Sequence, residues 1–147
     1  MNAKGNGMIT YQKELPLYKE SEIVVAGGGP SGVAAAVTAA RRVLLLEQSG
    51  TLGGASVLSM VAELMNFDDG EHFVSTGIGR EIFRRLHLEQ TAKRQWYNVK
   101  YEDLKRVYDE IVTEAGVEIL FYTRVVDMLS EGGRATYAVV STPGGLC

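Results

Sequence analysis

The run Ile23-Val24-Val25-Ala26-Gly27-Gly28-Gly29-Pro30-Ser31-Gly32 constrains this chain more than any other segment. Its apolar opening suits a strand, and the glycines that follow suit a tight turn. Pro30 fits the first turn of a helix, where its missing N–H leaves nothing unsatisfied. An alanine-rich stretch and the apolar run Leu44-Leu45-Leu46 then lead to Glu47. Strand, glycine turn, helix, strand and terminal acid form a βαβ unit, in the order needed to hold the pyrophosphate and ribose of a dinucleotide.

Each position in that unit has a physical task. Gly27 permits the turn out of the strand, Gly29 lets the backbone approach a pyrophosphate with no Cβ between, and Gly32 lets the helix lie close on the strands. Unpaired N–H groups near Ser31 to Val33 then face the phosphates, assisted by the positive end of the helix dipole. Glu47 emerges at the strand's carboxyl end, within reach of ribose hydroxyls, and repels a ribose that carries a 2′-phosphate. Glycine turns alone are common in purely structural roles; the flanking strand, helix and acid favour a nucleotide cradle here.

The chain's 147 residues, 46% of them hydrophobic, suffice for one globular domain with a true core. A net charge of −3 offers no basic footprint, so no nucleic-acid partner is expected. Arg41-Arg42 and Arg84-Arg85 read as solvated helix faces. No apolar run approaches the roughly 20 residues of a membrane span, and residues 1–20 lack the core of a secretory signal. A cytoplasmic chain with no membrane partner is therefore expected. Cys147 is the only cysteine, which excludes an internal disulfide, a CxxC pair and a cysteine metal cluster.

Residues 1–20 read as a polar lead-in arm and residues 21–147 as the nucleotide-binding domain. Within the βαβ helix, Val33, Ala36, Val37 and Ala40 form a narrow stripe of small side chains. Residues 48–71 read as a loop with a short helix around Val57 to Met65. A second helix is marked by Ile78, Ile82, Phe83 and Leu86, with Glu81 and Arg85 paired one turn apart. A third carries Leu104, Val107, Tyr108, Ile111, Val112 and Ala115 on one face and ends at Gly116. Val117 to Phe121 reads as a strand, and Thr123 to Leu129 with Ala135 to Ser141 as a β-hairpin around Gly132-Gly133.

His72 lies beside Asp68, Asp69 and Glu71, but no second histidine stands at metal-ligand spacing, so no metal is expected. His87 reads as structural. Trp96 and Tyr97 either stack on a ring or, more commonly for such residues, anchor a loop to the core.

Gly27-x-Gly29-x-x-Gly32 with Glu47, then Leu52-Gly53-Gly54-Ala55-Ser56, Thr76-Gly77-Ile78-Gly79-Arg80-Glu81 and Glu114-Ala115-Gly116-Val117 leading into Thr123-Arg124-Val125, resemble the N-terminal part of FAD-dependent oxidoreductases of the glutathione-reductase-like superfamily. The resemblance spans about residues 21–141. It implies an α/β, Rossmann-like three-layer FAD/NAD(P)-binding domain with a parallel sheet and a β-hairpin or meander, incomplete at the C-terminal end. It also implies FAD as cofactor, held by Gly27, Gly28, Gly29, Pro30, Ser31, Gly32, Glu47, Gln48, Gly53, Gly54 and Ser56. The pair Gly53-Gly54 favours FAD over a nicotinamide dinucleotide. Arg80 stands either near the cofactor or in solvent with an ion-pair partner. Val125 either meets the adenine through its backbone or is a plain buried valine. Bound flavin would pass electrons between a small-molecule substrate and an acceptor, both left open, as are the oligomeric state and any catalytic residue.

Two departures stand out. About three residues are missing between helix and second strand, at Arg42-Val43; either the helix gives up its last turn or the strand is displaced and Glu47 no longer reaches the ribose. Relatives also continue past the length of this chain, into a glycine-aspartate segment and a substrate region. Two other readings follow: a non-catalytic nucleotide-binding module, and an NAD-binding dehydrogenase domain.

Overall fold

The computed structural model describes residues 11–39, 42–61, 63–90 and 96–147. Ala40, Arg41 and residues 1–10 of the expected arm lie outside them. The first strand β1 (Ile23–Ala26) leads through the glycine turn into helix α1 (Pro30–Thr38) and on to β2 (Val43–Leu46). A four-residue helix α2 (Ala55–Leu58), strand β3 (Glu63–Met65), helix α3 (Gly77–Arg85) and strand β4 (Trp96–Asn98) follow. Helix α4 (Tyr101–Glu114), β5 (Glu118–Leu120), β6 (Arg124–Glu131), β7 (Arg134–Thr142) and β8 (Gly145–Leu146) complete the order.

Three layers result. The central sheet is parallel in the order β1-β2-β5, with Ile23 beside Val43 and Ala26 beside Leu46. All four residues of β2 are buried, as expected for a continuous apolar strand at the centre of a parallel sheet. One face of the sheet presents Val43, Leu45 and Ile119 to α1 and α4, where Val33, Ala36, Leu104, Val107, Ile111 and Val112 make the main core. The other presents Leu44 and Leu46 to the antiparallel meander β6-β7-β8, packing with Val140, Val125 and Cys147. Gly132 and Gly133 close the hairpin at φ +56° and +79°, the left-handed pair that a two-residue turn requires.

β2 is not displaced. Helix α1 ends at Thr38 with Ala39 as its cap, and β2 lies in register beside β1 despite the short connection. The helix expected around Val57 to Met65 is corrected: only Ala55–Leu58 is helical, while Glu63–Met65 pairs antiparallel with Trp96–Asn98. These two strands pack on α3 through a separate aromatic core. Phe83 stacks on Phe67 at 5.6 Å and meets the edge of Tyr97 at 4.7 Å, with Phe73 alongside. Tyr97 thus anchors, and its hydroxyl donates to buried Asp68; Trp96 is exposed. Arg85 joins α3 to α4, contacting Glu81 at 2.6 Å and Glu114 at 2.6 Å.

Candidate functional site

The turn after β1 is built from backbone. Gly27 leaves the strand at φ +103°, a region open to glycine, and its N–H donates to Leu46 O at 2.7 Å, carrying the sheet ladder into the turn. Gly29 caps α1, and the first helical bond runs from Val33 N to Gly29 O at 2.9 Å. No side chain caps this end and no acid lies in its first turn, so an anion here would meet the Ser31 and Gly32 amides and the helix dipole without competition. A Cβ on Gly29 would touch nothing within 4 Å, whereas one on Gly32 would overlap the carbonyl of Gly27. The first glycine borders open space and the second is a packing contact.

The second glycine pair lies against the first. Gly53 N–H donates to Gly28 O at 2.8 Å, and a Cβ on Gly54 would lie 3.1 Å from the Gly29 Cα. Gly54 opens α2 at φ 51°, ψ −129°, a conformation that side chains disfavour. Two helix N-termini are thereby brought together, although their turns are well separated in sequence. The Ser56 hydroxyl donates to Gly53 O at 2.6 Å.

Glu47 lies beneath this junction and is 5% exposed. One carboxylate oxygen accepts the Gly28 amide at 2.6 Å and the other the Ser49 amide at 2.6 Å. Burial pushes this carboxyl up, but the amides of Ser49 and Gly28, with the Ser49 hydroxyl, outweigh it and hold the group below its ordinary range. It is therefore a carboxylate at neutral pH, with lone pairs beyond the two already engaged. The strand ladder fixes its backbone, since Glu47 N–H donates to Leu120 O and Thr123 N–H to Glu47 O, both at 2.9 Å.

Gln48 is exposed immediately beyond Glu47, and Pro30 and Ser31 are exposed at the start of α1. Val125 packs its side chain with Leu44, Leu46 and Val140 behind the sheet, beside a register shift in β6. Arg80 is exposed in α3, its guanidinium 5.2 Å above the Phe73 ring, and so belongs to the aromatic cluster. His72 and Asp69 close a turn on one another at 3.6 Å.

Sequence reasoning missed Leu52, which is fully buried and would lie 2.7 Å from a Cβ on Gly28. It counted Tyr108 only as core, yet the ring borders Gly53. A phenol on an otherwise aliphatic face was the available signal. It also missed Tyr122, which holds φ +53° while its N–H donates to Ser49 O at 3.1 Å and its ring covers Gly50.

A family model described as FAD dependent oxidoreductase matches residues 22–146. A search of curated protein sequences finds no match. Among solved structures, THI4 of Thermovibrio ammonificans is similar at TM-score 0.56 and 21% identity, over 82% of this chain and 47% of that one. A geranylgeranyl bacteriochlorophyll reductase-like protein of Thermoplasma acidophilum aligns at TM-score 0.58 and 14% identity, over 86% of this chain and 36% of that one. Aklavinone-11 hydroxylase, solved with FAD and aklavinone, aligns at TM-score 0.50 and 17% identity, over 90% and 31%. These likenesses share the fold, and this chain spans less than half the length of each.

Proposed function

Since this chain belongs to the FAD dependent oxidoreductase family, we propose that its two joined glycine turns and Glu47 seat the adenosine diphosphate part of FAD. One observation carries the reading: the Gly53 amide on Gly28 O, with Glu47 holding the Gly28 amide from below. That arrangement leaves Gly29 facing free space at an uncapped helix terminus, where a Cβ would intrude.

In this proposal the Ser31 and Gly32 amides meet the pyrophosphate, backbone at Gly27, Gly28, Gly29, Gly53 and Gly54 approaches it, and Glu47 accepts the ribose hydroxyls. Pro30 shapes the entry to α1. Gln48 and the Val125 backbone stand toward the adenosine end, and Arg80 toward the substrate side. Ser56 acts through Gly53. When bound, FAD supplies hydride or electron transfer between a small-molecule substrate and an acceptor, and these residues position it. Residues 21–147 form the cofactor-binding unit, residues 1–20 an arm, and the cytoplasm is the proposed location.

Titration of the purified chain with FAD, followed by flavin fluorescence and visible absorption, tests the proposal. Saturable uptake with quenching is expected, with NAD competing weakly. Uptake of NAD in preference to FAD, or of neither, would overturn it.

A further inference from the structure

We propose that Tyr108 is a positioning residue for the second glycine turn, holding Gly53 against Gly28 so that both turns present one surface; its effect on FAD rests on the cofactor reading above. Tyr108 is 2% exposed, on the face of α4 that meets α2. Its ring carbons would stand 3.0 Å from a Cβ on Gly53, so the ring backs the glycine directly. The Ser56 hydroxyl donates to the carbonyl of the same glycine at 2.6 Å. The Gly53 amide then reaches Gly28 O at 2.8 Å, and the Gly28 amide reaches Glu47 at 2.6 Å. A continuous line of contacts runs from α4 to the carboxylate proposed to take the ribose.

The line matters because α2 has only four residues and no side-chain cap, too little to fix the preceding turn by itself. Gly54 holds φ 51°, a conformation open to glycine among many others, so neighbouring contacts must select it. Tyr108 stands on α4, which has fourteen residues and is anchored in the main core by Leu104, Val107, Ile111 and Val112. Rigid backing of this kind is what keeps a binding surface in register.

Three variants of the full chain separate positioning from general packing: Tyr108→Leu, which removes the ring behind Gly53, Ser56→Ala and, as a control on the same helix, Val112→Ala. Two measurements are made well below the melting temperature, FAD affinity by fluorescence titration and exchange of the Gly53 amide by NMR. Tyr108→Leu and Ser56→Ala should each weaken FAD by about threefold to tenfold and speed Gly53 exchange. The double variant should be no weaker than the poorer single one, because both act along one path. Val112→Ala should lower the melting temperature and leave both measurements unchanged. The proposal is overturned if Tyr108→Leu behaves as Val112→Ala does. Faster Gly53 exchange in Tyr108→Leu, in a parent chain that takes up no FAD, supports the coupling and overturns the cofactor reading alone.

Discussion

The carboxylate of Glu47 lies 2.6 Å from the amide nitrogen of Gly28, so the acid at the end of one strand fixes the turn at the end of its neighbour. A charged acceptor engaged by two backbone amides, one of them buried, is not readily replaced. Glu47→Gln keeps the shape but turns one acceptor into a donor facing an N–H. Loss of about 1–3 kcal/mol of stability is expected, because a buried donor is left unsatisfied. FAD affinity should fall with it. Urea unfolding and flavin titration of the same variant measure both.

Gly29→Val and Gly32→Ala should fail in opposite ways. At Gly29, φ −68° and ψ 177° suit any residue and an added Cβ meets nothing within 4 Å, so the melting temperature should stay near the parent's. FAD affinity should drop at least about tenfold, since the side chain fills the approach to the helix terminus. At Gly32 the added methyl overlaps the Gly27 carbonyl, so the fold itself should lose about 1–3 kcal/mol. Thermal melts and flavin titrations on the two variants should therefore rank them in reverse order.

Acid should weaken the fold in a definite window. Glu47 and Glu81 both titrate below their unfolded value of 4.5, Glu81 at about 2 beside Arg84 and Arg85. A depressed native value means stability that is present above the unfolded value and lost as pH falls through the native one. The melting temperature should accordingly decline from pH 4.5 toward pH 2. Glu47→Gln should show a shallower decline than the parent. An equal slope in both would remove Glu47 from the account.

Arg85→Met tests the link between α3 and α4. The guanidinium bridges Glu81 and Glu114 on the protein surface, so its removal should cost only about 1 kcal/mol. The difference from the parent should shrink in about 1 M salt, where surface ion pairs are screened. FAD affinity should not change, because none of the proposed contacts depends on this bridge.

The βαβ unit was legible because every local preference agreed: strand-forming Ile23 to Val25, the glycine turn, Pro30 at a helix start and an acid after an apolar run. Helix α4 was equally clear, since its apolar period runs unbroken from Leu104 to Val112. The pair β3 and β4 was not legible. Each strand has three residues and they meet across a long intervening segment, so no local period announces them. At the site, the glycines and Glu47 carry their own signal, but the inward turn of Ser56 and the backing by Tyr108 arise from contacts between distant segments.

Ile82 and Phe83 are adjacent in α3 yet serve different cores, Ile82 the one beneath the glycine turns and Phe83 the aromatic cluster of β3 and β4. A single helix therefore acts as a party wall. The wall is shared rather than sealed: Leu86 and Val99 pack against both clusters, so a change in the aromatic annex reaches the layer under the glycine turns through these side chains.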